Sequence, residues 1–154
     1  MATTYVDTSA LVKRYVAEVG SAWVRRLVAR PVHQVLYTAA LTEVEVRSAL
    51  QRLVREGRVD TAQAQRLTRR LGQHCTQRYQ LLRITRPVIA EAGRLVETHP
   101  LRAYDAVQLA CALLVRRGLQ RRGMPPPLFV AADTALLAAA RAEGFTVENP
   151  LQHP

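Results

Sequence analysis

The chain has 154 residues, of which 49% are hydrophobic, and it carries a formal net charge of +10. This composition excludes a disordered chain, and no stretch reaches the roughly 18 uninterrupted apolar residues of a membrane span. No basic start followed by an apolar signal segment opens the sequence, so we expect a cytoplasmic protein that does not bind a membrane.

Strand patterns and helix patterns alternate along the chain. In chain order, the predicted elements are a strand at 3–6, helices at 8–17 and 20–29, a strand at 34–38, helices at 40–56 and 60–76, a strand at 79–84, helices up to 98 and at 101–117, a strand at 128–132, a helix at 134–143 and a strand at 145–149. This alternation predicts an α/β fold with a central, mostly parallel sheet of about five strands and helices on both faces. The length predicts one domain over residues 1–150, with 151–154 as a C-terminal tail.

The excess of positive charge points to a nucleic-acid partner. Lys13 is the only lysine, so nearly all the basic residues are arginines, whose planar guanidinium suits phosphate. A GC-rich coding bias would explain the ratio of arginine to lysine, but not the excess of basic over acidic residues. Cys75 and Cys111 form neither a disulfide framework nor a zinc spacing, and we expect both to be buried on helices.

The four aspartates stand at or near predicted helix starts: Asp7, Asp60, Asp105 and Asp133. Asp60 is a candidate N-cap. Asp7 and Asp133 each follow a predicted strand, in "YVDTSALV" and "FVAADTALL", and an N-cap role fits either one alone. Both junctions lie at the same edge of a parallel sheet, however, which is where α/β folds bind ligands.

Asp105 lies near the start of a helix whose apolar stripe is formed by Ala106, Leu109, Ala110 and Leu113. A lone acid there is adequately explained by the helix dipole. Three acids at one edge of one sheet favour a shared site instead.

A fourth acid is expected in "LTEVEVRSALQRL", where Glu43 and Glu45 are alternatives. Glu43 has Arg47 four residues later, which offers it a surface ion pair. Glu45 has Leu41 and Ala49 four residues to either side. The helix is apolar on more than one side, so its periodicity does not choose between the two.

Converging carboxylates repel one another unless they are protonated or share a cation. The four histidines are scattered and show no zinc spacing. A carboxylate site without histidine or cysteine ligands favours Mg²⁺ or Mn²⁺.

Four segments, in order and across nearly the whole chain, resemble the motifs of the PIN-domain ribonucleases, and most closely the VapC-type toxins of type II toxin–antitoxin systems. These segments are "YVDTSALVKRY", "VEVRSALQR", "LRAYDAVQLACAL" and "FVAADTALLAAARAEGF". The resemblance implies a three-layer α/β/α PIN-like fold, with a single PIN domain over 1–150.

The resemblance also implies the site and its chemistry. The family's catalytic acids fall on Asp7, Glu45, Asp105 and Asp133, which selects Glu45 over Glu43. Asp7 and Asp105 would be the main ligands of Mg²⁺ (or Mn²⁺), and Ser9 would support the first carboxylate or the substrate. Asp133 matches the acid that varies most within the family.

The implied activity is metal-dependent hydrolysis of RNA phosphodiester bonds. The implied partners are an RNA substrate, a second copy of the chain in a homodimer, and a small antitoxin whose basic residue pairs with the acids. Two alternatives stay open: a PIN-domain nuclease of RNA maturation that is not a toxin, and a catalytically silent RNA-binding module. A phospho-acceptor signalling module is disfavoured because it needs a lysine after its last strand, and Lys13 lies in the first helix.

Overall fold

Five parallel strands form the centre of the protein in a computed structural model that describes residues 2–29 and 33–154. The strands are β1 (Ala2–Val6), β2 (Gln34–Ala39), β3 (Tyr79–Leu82), β4 (Leu128–Val130) and β5 (Val147–Glu148). The α-helices are α1 (Thr8–Leu11), α2 (Ser21–Val28), α3 (Leu41–Arg55), α4 (Thr61–Gln77), α5 (Arg86–Thr98), α6 (Ala103–Arg121) and α7 (Thr134–Ala142). Two short 3-10 helices cover Val12–Arg14 and Pro150–Gln152.

The strand order is β3-β2-β1-β4-β5, so β1 lies at the centre of the sheet. The chain leaves β1 toward β2 and β3 and later returns to the other side of β1 with β4 and β5. The strand order therefore reverses between β1 and β4, and a crevice at the carboxyl ends of these two strands is the expected ligand site of such a sheet.

Side chains on successive strand residues point to opposite faces of the sheet, and each face has its own apolar core. Tyr5 stacks on Phe129 of the neighbouring strand, with ring centroids 5.6 Å apart, in the core covered by α5, α6 and α7. Val6 and Val130 lie in the core on the other face, which α1, α2, α3 and α4 cover. The predicted three-layer α/β/α fold with five parallel strands is confirmed.

Two helix predictions differ from the structure. The helix expected at 8–17 is a four-residue α-helix followed by the 3-10 helix at Val12–Arg14. The chain then turns, because the Ser21 hydroxyl donates to the Val16 carbonyl and accepts from the Glu18 amide, at 2.8 and 2.9 Å. These bonds replace further helical ones before Gly20, which has a φ of +86°.

The helix expected at 101–117 runs from Ala103 to Arg121 and passes through Gly118. A glycine inside a helix costs about 1 kcal/mol relative to alanine. Leu119 is buried in the core one residue later, and this burial offsets the cost. The helix ends shortly before Gly123, whose φ is +67°, and the prolines at 125–127 follow.

The last two strands are shorter than expected: β4 ends at Val130 instead of 132, and β5 covers only Val147–Glu148. Cys75 and Cys111 are buried on α4 and α6, as predicted. None of the helices in the described part of the chain is long and apolar enough to cross a membrane.

Candidate acidic active site

Asp7 follows β1 directly and is 3% exposed. Its Oδ2 accepts hydrogen bonds from the Ser9 amide, at 3.0 Å, and from the Ser9 hydroxyl. The same hydroxyl oxygen accepts from the Ala132 amide at 2.9 Å, and so joins the end of β1 to the residues that follow β4. The predicted N-cap of α1 is confirmed. No donor from the described residues bonds Oδ1 of Asp7.

The carboxyl group of Asp7 is hard to ionise in this environment. Its pKa is raised to about 7, mainly by burial and to a smaller extent by the nearby charges of Asp105 and Glu45. The two hydrogen bonds from Ser9 oppose this rise, since they favour the carboxylate. A cation beside Asp7 would remove the conflict between burial and charge.

Glu45 and Glu43 lie two residues apart on α3 and have different surroundings. Glu43 forms an exposed ion pair with Arg47 at 2.9 Å, as its spacing predicted. Glu45 accepts from the Thr8 hydroxyl at 2.9 Å and from the Gln108 amide at 3.0 Å. The structure therefore directs Glu45, and not Glu43, toward the end of β1.

Gln108, on α6, fixes the position of Glu45 through a hydrogen bond. It is 1% exposed and its Oε1 accepts from the Tyr5 hydroxyl at 2.7 Å, so its Nε2 must point the other way. From there Nε2 donates toward Glu45, Thr8 and Thr42 at 2.9 to 3.0 Å. Gln108 was not predicted from the sequence to have a role, although it lies one helical turn after Asp105 and shares its face.

Asp133 caps α7, because its Oδ1 accepts from the Leu136 amide at 2.8 Å. Its other oxygen lies 3.8 Å from a guanidinium nitrogen of Arg102, and Oδ2 of Asp105 lies 3.5 Å from Nε of the same arginine. Burial and the charge of Asp133 raise the pKa of Asp105, and Arg102 opposes this. Arg102 was not predicted from the sequence either, although an arginine three residues before a helical acid is a recognisable signal.

All four predicted acids thus lie at the edge where the strand order reverses. Asp7 is influenced by the charges of Asp105 and Glu45, and Asp105 by that of Asp133. Within residues 2–29 and 33–154, however, no three His, Cys, Asp or Glu side chains converge closely enough to form a ready metal site. The four acids lie near one another but do not meet at one point.

The chemistry of the donor set fits a divalent metal. The four candidate ligands are all carboxylates, which suit Mg²⁺ or Mn²⁺. Asp7 has one oxygen oriented by Ser9 and a second without a protein donor among the described residues, and a bound cation would oppose the rise of its pKa that burial causes. Arg102 compensates only at the outer side of the site, where it is 84% exposed.

Solved structures share this fold. A chain of a toxin–antitoxin complex from Klebsiella pneumoniae superposes with a TM-score of 0.60 at 19% identity, over 96% of this chain and 97% of that chain. FitAcB from Neisseria gonorrhoeae gives a TM-score of 0.61 at 19% identity, over 96% and 97%. VapBC2 from Rickettsia felis, bound to a DNA fragment from its promoter, gives a TM-score of 0.58 at 9% identity, over 96% of this chain and 98% of that chain.

Comparison with single curated sequences and comparison with a family model give different results. A search of curated protein sequences finds no significant match. A family model, described as PIN domain, matches residues 4–142, a span that contains all four acids and Ser9. On this evidence the chain belongs to the PIN-domain family.

Proposed function

We propose that this protein is a metal-dependent endoribonuclease that hydrolyses RNA phosphodiester bonds and acts as the toxin of a toxin–antitoxin pair. PIN domains are nucleases, which supports the hydrolase class. The observation that carries the finer proposal is the buried Asp7, which stands beside Asp105 and Glu45 with its pKa raised to about 7. A cluster of this kind, in a chain of net charge +10, is best explained by a bound divalent cation and a polyanionic substrate.

In the proposed mechanism, Asp7 and Asp105 would hold Mg²⁺ or Mn²⁺. When bound, such an ion would lower the pKa of a water and neutralise charge that develops on the phosphate. Ser9 keeps one oxygen of Asp7 oriented, so that the other is free to act as a ligand. Glu45, held by Thr8 and Gln108, would be a further ligand of the metal or would orient the attacking water.

Asp133 has two roles in this proposal. It caps α7, and its second oxygen would help to hold a further ion or a water beside Asp105. Arg102 contacts both acids at the solvent side, so it would have to yield to a metal or reorient toward the phosphate. Its exposed position leaves room for that movement.

The proposed partners are an RNA strand, a second copy of the chain and a small antitoxin. Several structures of this fold are toxin–antitoxin complexes, which supports the antitoxin. A basic side chain from the antitoxin would compete with Arg102 for the same acids. We place the protein in the cytoplasm, where its RNA substrate is found.

The first experiment incubates the purified protein with a mixed single-stranded RNA pool in Mg²⁺ or Mn²⁺. Cleavage should disappear with EDTA and in Asp105→Asn. Asp60→Asn makes the same change at an exposed N-cap on α4 and should cleave like the wild type. Cleavage that survives both EDTA and Asp105→Asn would refute the assigned site.

A second experiment separates a toxin from an RNA-maturation nuclease. Expression of a toxin should arrest growth, and co-expression of the neighbouring small gene should relieve the arrest. A PIN nuclease of RNA maturation would cleave RNA in vitro without this arrest. A silent binding module would retain RNA without cleaving it under any metal condition.

A further inference from the structure

A second polar cluster lies away from the acids, on the layer formed by α1 to α4. Arg14, Arg25, Arg70 and His74 line a surface cavity of about 250 Å³, which we call the basic cleft. Arg14 ends the 3-10 helix, Arg25 lies on α2, and the other two lie one helical turn apart on α4. Three separate elements therefore direct cationic side chains toward one space.

The floor of the basic cleft is a hydrogen-bonded network. Arg14 donates to the Tyr79 hydroxyl at 3.0 Å, and its other terminal nitrogen lies 3.3 Å from Nε2 of His74. The Tyr15 hydroxyl is 2.8 Å from both Nδ1 of His74 and the Tyr79 hydroxyl. These contacts hold the guanidinium of Arg14 in place before any ligand arrives, which lowers the entropy lost on binding.

The network also assigns the protonation of His74. Arginine can only donate, so Nε2 of His74 accepts and Nδ1 carries the proton toward Tyr15. Burial and the charges of Arg14, Arg78 and Arg70 lower the pKa of His74 to about 4. A ring that is neutral and already bonded at both nitrogens adds no charge to the cleft and leaves the arginines to bind an anion.

The charge of the basic cleft is uncompensated. Elsewhere in the chain, Lys13, Arg94 and Arg117 pair with glutamates at 2.8 to 3.1 Å. Within the described residues, no carboxylate lies within 4 Å of a nitrogen of Arg14, Arg25 or Arg70. Like charges held together in this way favour an anionic ligand, and guanidinium groups suit the oxygens of phosphate.

The basic cleft lies within reach of an RNA strand that is bound at the acids. Tyr79 is in register with Leu36 of β2, and Leu36 with Thr4 of β1, so Asp7 lies three residues further along the strand direction. Three strand residues span about 10 Å, and β3 lies two strand spacings, about 10 Å, to the side of β1. A few nucleotides of an extended strand would bridge the two sites.

We propose that the basic cleft binds a backbone phosphate of the RNA strand outside the cleaved bond. This inference rests on the proposed function, since it gives the same substrate a second point of attachment. The acids would then act on the scissile phosphate while Arg14, Arg25 and Arg70 hold the strand on the α1–α4 side.

The test measures binding of a single-stranded RNA oligonucleotide in EDTA, where no strand is cut. Arg25→Gln with Arg70→Gln removes two exposed charges of the cleft and the 3.4 Å contact of Arg25 Nε with the Arg14 carbonyl, but keeps the contacts of the Arg14 guanidinium with Tyr79 and His74. Arg121→Gln with Arg122→Gln removes the same charge from the exposed end of α6 and is the matched control. The cleft variant should bind about tenfold more weakly in low salt, and the slope of log K against log salt should fall by about 0.7 for each phosphate that is no longer neutralised. The control should retain the wild-type slope.

A second arm follows the ring nitrogens of His74 by NMR, with the signal assigned through His74→Gln. Titration with inorganic phosphate and with the oligonucleotide should both shift this signal. A shift with phosphate alone would overturn the RNA assignment in favour of a free-anion site. An unmoved signal with both probes, or equal losses in the cleft variant and the control, would overturn the proposal.

These results are independent of catalysis. If the wild type cleaves but the cleft variant binds like the control, the inference fails and the nuclease assignment stands. If no RNA is cleaved in any metal but the cleft variant loses binding, the cleft is still a binding site for the RNA backbone, and the nuclease assignment fails.

Discussion

At the scale of single residues, Asp7 shows how one carboxylate serves two purposes. Its Oδ2 satisfies an amide at the start of α1, and its burial makes the charged form unfavourable without a cation. The N-cap interpretation and the metal-ligand interpretation of this residue are therefore compatible. We expect the proposed site to lower the stability of the metal-free fold, because burial disfavours the charged form of Asp7.

Asp7→Asn should stabilise the metal-free protein at high pH. The pKa of Asp7 is raised on folding to about 7, so the folded state keeps a proton that the unfolded chain releases near pH 4. Stability of the wild type is therefore lost as pH rises between about 4 and 7, and the loss is complete above pH 7. Denaturant unfolding in EDTA should show the variant more stable by ~2–4 kcal/mol at pH 8.5, with little difference at pH 4.

Asn also caps helices well and its oxygen can accept the bonds from Ser9, so the cap should survive. Asp60→Asn, an exposed cap, is the control for the substitution itself. If Asp7→Asn is less stable than the wild type at pH 8.5, the carboxylate is stabilising in the metal-free fold and the account of its raised pKa is wrong.

At the scale of secondary structure elements, α3 distinguishes its two acids by the direction in which each points. Glu43 lies toward Arg47 and solvent, and Glu45 toward α1 and α6. Helical periodicity could not choose between them, because residues two apart on a helix lie on different faces and α3 is covered on more than one side.

Glu45→Gln should lower the rate of RNA cleavage by about 10–100-fold, the range seen when a group that positions a metal site is removed. Glu43→Gln removes the same charge two residues away and should stay within about twofold, because it breaks only an exposed ion pair. Single-turnover cleavage in saturating Mn²⁺ measures both. Equal losses in the two variants would mean that the net charge of α3, and not the position of Glu45, is what cleavage requires.

At the start of α7, the capping role of Asp133 can be separated from the role of its charge. Asp133→Ala should cost about 1 kcal/mol of unfolding free energy, because the Leu136 amide loses its acceptor. Asp133→Asn keeps an acceptor, and should stay within about 0.5 kcal/mol of the wild type. Cleavage should fall in both variants. Wild-type cleavage by Asp133→Asn would limit this residue to its structural role.

At the scale of the whole molecule, sheet order and net charge cooperate. Ser9 and Ala132 are 123 residues apart and are hydrogen-bonded, because β1 and β4 are neighbours. This pairing brings Asp7 and Asp133 to the same edge of the sheet and gathers negative charge at one edge of a strongly basic protein. In the absence of metal, the contacts of Arg102 with Asp105 and Asp133 compensate part of this negative charge.

Mg²⁺ or Mn²⁺ should therefore stabilise the entire fold. Metal at 100 times its Kd adds about 2.7 kcal/mol to the free energy of unfolding. The Tm of the wild type should rise with metal concentration, and that of Asp105→Asn should respond much less. Arg102→Gln should respond at lower metal concentration than the wild type, because it removes a competing cation. An identical metal response in all three proteins would place the metal elsewhere.

The sequence alone determined whatever depends on local patterns. Alternating strand and helix periodicity predicted the parallel sheet, and residues at strand ends predicted Asp7 and Asp133 at one edge. The N-caps at Asp7, Asp60 and Asp133 were also predictable, because capping joins residues two or three positions apart. The roles of the acids in catalysis stay predictions.

Only the tertiary structure decided what depends on residues far apart in the chain. The bonds from Thr8 and Gln108 that orient Glu45 span 37 and 63 residues, and no helical period contains that information. The same holds for the basic cleft, where Arg14 meets Tyr79 across 65 residues. Helix ends followed the same rule: α6 continued past Gly118 because burial of Leu119 in the core outweighed the local preference of glycine. Long-range hydrogen bonds and core burial are set by strand order and packing, so they become visible only when the chain is folded.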